Sequence, residues 1–433
     1  MKTTTEQIHQ IGILVGGGPA PGINSVIHAV AIEAARHHCS VFGIYDGFKH
    51  LMEGKLVGLP LTPENVAYIY GQGGSILRTS RANPTHSQKA LEACVSTLIK
   101  AEISALVSIG GDDTAYSASR VARTAQENMG LDFRSVHVPK TIDNDLPLPE
   151  DIATFGFETA REVGSQLVMN LRRDAITGQH WFLVLSMGRK SGHLASGIGK
   201  SATATITLIP EEWQGEEIRL KEVIDILVTT ILLRLLGNKP YGVAILAEGI
   251  LENLVHEDLQ ALDHVERDEH GHIRLAEVNF LDILKSELGK ELGGLGVRQI
   301  RLVKHVLGYE LRCAPPIAFD IEYTRTLGHA AVEFLISGGT NAIITLQRSK
   351  IVPIPYHEMI NPETGRTEVR MVDIDSFRYR SAYDFMTRLK PEHAQDDILF
   401  EKLAALTNLT CMEFRKRYGY LVGPTRAQAK SSS

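Results

Sequence analysis

Two turns in the sequence concentrate carboxylates: Gly110-Gly111-Asp112-Asp113-Thr114 and Pro139-Lys140-Thr141-Ile142-Asp143-Asn144-Asp145. Neighbouring carboxylates repel unless a cation or a basic side chain offsets them. Four carboxylates and an ammonium meeting at one point suit Mg2+, which takes a few carboxylate oxygens and completes its shell from substrate phosphates and water. A solvated acidic turn would account for one such loop but accounts poorly for two. A third turn, Gly16-Gly17-Gly18-Pro19-Ala20-Pro21-Gly22, has no Lys-Ser/Thr ending and is no P-loop; Pro21 stands where a dinucleotide fingerprint needs its third glycine. What it offers is side-chain-free backbone ahead of a helix, and such amides suit a phosphate. Glycines kept only for close strand–helix packing would look the same.

Basic residues that could meet an anion are Arg81 after Ser80, Arg161, Arg189 and Lys190 after Met187-Gly188, then Arg298, Arg301, Lys304 and Arg312. A guanidinium fork matches a phosphate in two bonds. Most such side chains on a surface are merely solvated, and Arg189 stands out because its motif follows a strand end. His264, His270 and His272 lack metal-ligand spacing and are expected at the surface.

The elements that must position these groups alternate. Apolar runs at 11–15, 41–45, 103–110 and 135–139 read as strands, the first followed by a helix with Asn24 or Ser25 as cap, the third by a helix over AYSASRVARTAQEN. Short apolar runs alternating with amphipathic helices indicate βαβ units on a buried parallel sheet, whose ligands bind at the carboxyl ends of the strands. Downstream, 181–188, 203–210 and 241–249 read as strands with a long helix over EEIRLKEVIDILVTTILLRLL, which predicts a second α/β lobe. Residues 252–292 are charged and helical in pattern, broken by a turn at 268–272, and read as a helical insertion.

The chain has 433 residues, 43% hydrophobic and 22% charged, with a net charge of −6. That length suggests two or three domains, and the charge gives no reason to seek nucleic acid or an anionic membrane. The four cysteines have no CxxC pair, so disulfides and a zinc site are not expected. The stretch 223–236 is too short and too polar to span a bilayer, and the first ten residues lack the apolar core of a signal peptide, so the expected location is the cytoplasm.

GGGPAPGxN, GGDDT, PKTIDND, MGRKSGH, AEG and GYELR occur in the order, and at about the spacing, of the phosphofructokinases, and over about residues 11–340 the sequence resembles that family. ATP-dependent members typically carry Gly after the first Asp of GGD and Gly before TIDND; here Asp113 and Lys140 stand there, as in the diphosphate-dependent branch. A carboxylate at 113 would repel the α-phosphate of ATP, whereas pyrophosphate is short enough to avoid it, and Lys140 would supply positive charge to the phosphate as its bond breaks. The resemblance implies a fold of two Rossmann-like three-layer α/β lobes with mainly parallel sheets and an active site in the cleft between them. One lobe, 1–154 with about 313–390, would bind diphosphate and Mg2+; the other, 155–312 with the C-terminal segment, would bind the sugar phosphate.

It also implies roles. Asp143 would be the general base, with Lys140 and Asp113 in the catalytic set. Gly17, Arg81 and Lys140 would bind diphosphate, and Asp112 would hold Mg2+. Thr141, Ile142, Asp143, Asp145, Met187, Gly188, Arg189, Glu248, Tyr309 and Arg312 would bind substrate, with Lys304 as a further basic contact. Pro19 departs from the usual Asp, and Cys313-Ala314 from a common Gly-Gly. The implied activity is reversible phosphoryl transfer from pyrophosphate to the 1-hydroxyl of fructose 6-phosphate, by a homodimer or homotetramer in which a neighbouring subunit lends an arginine (Arg172, Arg173 or Arg298). The alternatives are ATP as donor, sedoheptulose 7-phosphate as acceptor, or a non-catalytic sugar-phosphate-binding subunit.

Overall fold

The computed structural model describes residues 8–149, 152–260, 280–298, 300–361, 363 and 367–423. Among these, eleven strands form: β1 (Gln10–Val15), β2 (Ser40–Ile44), β3 (Gly58–Leu61), β4 (Ala105–Gly110), β5 (Arg134–Pro139), β6 (Trp181–Ser186), β7 (Ile206–Leu208), β8 (Gly242–Ala247), β9 (Leu302–Leu307), β10 (Ala342–Gln347) and β11 (Lys350–Pro355). They make two sheets, and the chain divides into two units, Met1–Ala160 with Tyr309–Arg370 and Arg161–Gly308 with Met371–Ser433.

The first unit's sheet has the order β11-β10-β5-β4-β1-β2-β3, parallel except at its two outer pairs, β10–β11 and β2–β3. Alternate residues face opposite layers. Ile11, Ile13 and Val15 pack with helices Ile23–Arg36 and Ala318–Ile336, whereas Leu14 and Leu106 pack with helices Gln88–Lys100 and Asp112–Arg123. Each such burial contributes about 1.5–3 kcal/mol, enough to fix the register, because a one-residue slip would exchange the two faces. That register sets Val15 opposite Ile109 and Gly110 opposite Pro139. The glycine turn and both carboxylate turns therefore leave neighbouring strands at one level. From β1 the chain moves to β2 on one side, and from β4 to β5 on the other, so the order reverses between β1 and β4, where open α/β sheets bind ligands.

The second unit's sheet, β7-β8-β6-β9, is parallel throughout. Its core joins Trp181, Leu183 and Leu246 to helix Leu220–Leu236 and to Phe400, Phe414 and Tyr418 near the chain end. Ser186 lies opposite both Ala247 and Leu307, so Met187, Glu248 and Gly308 also emerge together. No described helix is long and apolar enough to cross a membrane.

Several expectations need correction. Helix Ile23–Arg36 starts from Gly22 at φ 98°, so Asn24 and Ser25 are not its caps; Asn24 is buried, donates to the carbonyls of Gln72 and Gly73 and accepts from the Ile76 amide. Residues 280–294 of the supposed insertion form a core helix, because Leu281, Leu284, Leu288 and Leu292 lie on one face and are buried; residues 261–279, with His264, His270 and His272, lie outside the described residues. Tyr309 and Arg312 belong to the first unit, not the second. Residues 371–390 belong to the second, where the Val372 amide donates to Glu211 and the Thr387 amide to the Thr205 carbonyl. Residues 155–160 stay with the first unit, held by Asp320: this fully buried carboxylate accepts from the amides of Gly156 (2.9 Å) and Thr159 (2.8 Å) and from the Thr159 hydroxyl (2.5 Å).

Asp320→Ala strands two buried amides, at about 1–3 kcal/mol each. We expect a loss of about 3–5 kcal/mol in urea unfolding, and a loss under about 1 kcal/mol would show that these bonds do not anchor the segment.

Candidate active site

The glycines of the first turn answer to particular neighbours. A Cβ at Gly16 would stand 2.3 Å from Thr114 Oγ1, one at Gly110 2.4 Å from the same atom, and one at Gly18 1.9 Å from Arg312 Nη2. Gly17 has φ 77°, and its amide donates to the Ser80 carbonyl at 2.8 Å. The Gly17 amide is thus used in pinning the Ser80-Arg81 segment. What Gly17 supplies is clearance, since a Cβ there would come 3.3 Å from Lys140 Nζ.

Lys140 is 5% exposed, and its ammonium donates to the Gly18 carbonyl at 2.5 Å. Burial, then Arg312, then more weakly Arg81 push its pKa down to about 8, while Asp143 and Asp145 pull the other way. Burial and then Arg81 also lower Arg312, whose guanidinium lies 5.6 Å from the Tyr309 ring centre. Three cationic side chains and two carboxylates thus share one neighbourhood, beside a turn whose carbonyl is the partner of Lys140. Beneath it, buried His137 bonds the Gly110 carbonyl through Nε2 (2.9 Å) and Ser108 through Nδ1 (2.8 Å); burial lowers its pKa to about 3, so it is a neutral support.

Asp112 and Asp113 open helix Asp112–Arg123, where a helix start favours negative charge. The Asp113 amide donates to Asp112 Oδ1 at 2.9 Å, and the Tyr356 hydroxyl reaches the Asp112 carbonyl at 3.4 Å. Tyr356 is raised above its ordinary range, first by burial and further by Asp112 and Asp113. These are hard oxygen donors in a negative field. The described residues form no three-ligand cage at Asp112; the one such cluster among them is Glu33, His329 and Glu333, on helices Ile23–Arg36 and Ala318–Ile336.

The loop after β5 is held from within and from afar. Thr141 Oγ1 accepts from the Asp143 amide (3.0 Å), and Thr154 donates its hydroxyl to the Thr141 carbonyl (2.8 Å) and its amide to Asn144 Oδ1 (3.0 Å). Ile142 is buried. The Arg370 guanidinium bonds the carbonyl of Asn144, between Asp143 and Asp145. In the second unit, buried Glu248 accepts from the Gly188 amide at 3.3 Å, the Gly249 amide donates to the Gly188 carbonyl at 3.1 Å, and Gly188 takes φ 132°. Met187, Gly188, Arg189 and Glu248 thus form one group at the ends of β6 and β8.

Other basic residues are used elsewhere. Lys304 pairs with Asp282 at 2.5 Å, which leaves it a poor phosphate ligand. Arg172 lines a cavity of about 440 Å³ in the second unit with Lys200, Arg234 and Lys239. Thr114, Thr154, Tyr356 and Arg370 were missed; for Thr114 the one sequence signal is that glycine stands at both 16 and 110, against the same side chain.

Fold and site together define an α/β protein whose charged side chains gather at the ends of parallel strands. Residues 10–335 match the family model described as phosphofructokinase. The chain belongs to the phosphofructokinase family. It is 49% identical to the pyrophosphate–fructose 6-phosphate 1-phosphotransferase of Thermotoga maritima, over 94% of this chain and 98% of that one, and 44% identical to the protein of the same name in Naegleria fowleri, over 97% of each. In fold it is similar to the crystal structure of a pyrophosphate-dependent phosphofructokinase from Marinobacter aquaeolei (TM-score 0.67, 18% identity, 93% of this chain and 92% of that one). It is likewise similar to the Saccharomyces cerevisiae phosphofructokinase (TM-score 0.64, 20% identity, 95% of this chain), of whose chain it spans 50%.

Since folding lowers the Lys140 pKa, the unfolded chain holds that proton more tightly, and this position's contribution to stability rises as pH climbs from about 8 to 10.5. Lys140→Met should therefore melt higher than the parent at pH 7 and gain less between pH 8 and 10.5. Equal melting temperatures at pH 7 would show that the buried ammonium carries no such cost.

Proposed function

We propose that the chain transfers a phosphoryl group from pyrophosphate to the 1-hydroxyl of fructose 6-phosphate, giving fructose 1,6-bisphosphate and phosphate, and that the reaction runs both ways. The observation that carries this is the buried Lys140 ammonium at Gly18, crowded by Arg81 and Arg312 and partly offset by Asp143 and Asp145. Such crowding of cations is tolerable when a multiply charged anion completes it.

The chemistry is an in-line displacement. The sugar oxygen forms a bond to phosphorus as the bond to the bridging oxygen breaks, and phosphate leaves. Asp143 takes the proton of the 1-hydroxyl as its oxygen attacks. Lys140 and Arg81 meet the donor, and the Lys140 ammonium offsets charge growing on the leaving oxygen. Arg312 and Tyr309 in the first unit are proposed sugar-phosphate contacts, as are Met187, Gly188, Arg189 and Glu248 in the second, while Thr141 and Asp145 surround the transferred group. The carboxylate pair fits Mg2+, which is commonly held by one or two protein carboxylates plus substrate phosphates rather than by an all-protein cage. Asp112 would hold it, with Asp113 beside it, and when bound it neutralises phosphate charge. Asp113 also excludes a nucleotide, because its carboxylate repels the α-phosphate that pyrophosphate lacks.

Purified chain assayed with pyrophosphate and with ATP, on fructose 6-phosphate and on sedoheptulose 7-phosphate, tests the reading. Turnover with pyrophosphate and fructose 6-phosphate is expected; turnover with ATP alone would overturn it. Asp143→Asn should lower kcat by about 10²–10⁴, the usual worth of a general base. Asp113→Gly should let ATP compete with pyrophosphate; if ATP still fails to bind, something other than this carboxylate excludes it.

A further inference from the structure

Arg370 lies beyond the segment that matches the family, in a stretch without helix or strand. Its guanidinium points at the turn that carries the carboxylates. Nε donates to the Asn144 carbonyl at 3.0 Å; Nη2 donates to the same carbonyl at 3.0 Å and to Asn144 Oδ1. Nη1 reaches the carbonyls of Ile152 (2.8 Å), Pro149 (3.2 Å) and Leu148 (3.3 Å). Its own amide donates to the Asp145 carbonyl at 2.9 Å. A guanidinium has five N–H groups on three nitrogens, and here all three nitrogens donate to the chain. This separates Arg370 from an arginine that binds substrate.

The turn needs such an outside donor. Asn144 sits at φ 56°, a left-handed conformation that Asn tolerates when its side chain is bonded locally, as here to the Thr154 amide. Along itself the segment pairs the Leu146 carbonyl with the Leu148 amide (2.7 Å) and the Pro149 carbonyl with the Ile152 amide (2.9 Å), and Pro147 and Pro149 have no amide to add. Among the described residues, a single side chain gathers the carbonyls of 144, 148, 149 and 152. Asp143 and Asp145 flank the gripped residue, so moving Asn144 moves both.

We infer that Arg370 is a positioning residue for the transfer step: it fixes the turn around Asn144 in the conformation that aims Asp143 at the sugar hydroxyl. The inference rests on the proposed role of Asp143. A displacement of about 1 Å in a reacting group can cost on the order of 100-fold in rate without matching loss of binding. Lysine cannot substitute, since it offers three donors from one atom and cannot span carbonyls on both sides of the fork.

The full chain is compared as parent, Arg370→Ala, Arg370→Lys and Asp143→Asn, by melting temperature and by kcat and KM for both substrates. We expect Arg370→Ala to lose roughly 10- to 100-fold in kcat with little change in either KM. Added methylguanidinium should recover part of that kcat, while methylammonium at the same concentration should not and the parent should respond to neither. A folded Arg370→Ala enzyme with parental kcat, or one whose lost kcat methylguanidinium leaves untouched, overturns the inference. If Arg370→Ala fails to fold, Arg370→Lys decides: reduced kcat at unchanged KM supports the role, and parental kcat overturns it. An inert Asp143→Asn beside a fully active Arg370→Ala sinks this inference alone. A fully active Asp143→Asn sinks the reading of Asp143 as base, and this inference with it.

Discussion

The Lys140 ammonium, 2.5 Å from the Gly18 carbonyl and almost out of water, is the interaction on which the arrangement of the site turns. Burying an ammonium next to two guanidinium groups is unfavourable, and its lowered pKa records that. What makes it bearable is local: a carbonyl brought close by a turn with no side chains, and Asp143 and Asp145 in the loop that begins with the lysine itself. The glycines follow from it. Gly18 leaves room for Arg312 and Gly17 for Lys140, so the turn is shaped by the cations that surround it. The protein thus gathers three cationic side chains at this turn, at a cost in stability that the lowered pKa of Lys140 reflects.

Such closeness depends on the parallel register of β1, β4 and β5. Val15 beside Ile109 and Gly110 beside Pro139 bring three turns from distant parts of the sequence to one level. The Gly16 amide on the Ile109 carbonyl and the Lys140 amide on the Gly110 carbonyl extend the ladder one step past the strands, so the turns begin from fixed backbone. The second unit repeats this at Ser186, where Met187 and Glu248 emerge from paired strands and the Gly188 and Gly249 bonds tie them. Chemistry that needs side chains held within fractions of an ångström is well served by strand ends backed by a buried sheet.

Much of this was legible in the residues. The central strands are apolar runs with turn signals at both ends, and the motif order carried the family. Four strands escaped notice, β3, β9, β10 and β11, and all but β10 lie at the edges of their sheets. β3 and β11 contain Gly58, Pro60, Pro353 and Pro355, which antiparallel edges tolerate and inner strands do not. β9 interrupts its apolar run with Lys304 and His305, which the outer strand of a sheet tolerates. That helix Phe280–Gly294 belongs to the core was hidden by Lys285, Glu287, Lys290 and Glu291 on its wet face, although leucines at 281, 284, 288 and 292 mark the buried one. The unit to which Tyr309 and Arg312 belong, and the use of the Gly17 amide, depend on pairings across the chain that local sequence does not encode. Arg370 had no periodicity around it; its partners are backbone carbonyls, which leave no mark in side-chain types.

The start of helix Asp112–Arg123 bears on the choice of donor. In many α/β proteins a helix N-terminus facing strand ends is open to a substrate phosphate, which takes the free amides and the positive end of the dipole. Here the chain supplies its own anions: two carboxylates lie in the first turn, and the Asp113 amide is bonded to Asp112. Positive potential remains instead one turn away, at Lys140, Arg81 and Arg312. A donor drawn to those cations with its charge on two adjacent phosphorus atoms avoids the acidic helix start, whereas a longer polyphosphate chain carrying a nucleoside would have to cross it. Mg2+, which Asp112 would hold with Asp113 beside it, would offset charge on near phosphates more than on a distant one, because a divalent charge acts strongly only over a few ångströms in a wet site. The separation of cationic lysine and acidic helix start, on adjacent strands of one sheet, is thus a physical basis for preferring the shorter donor.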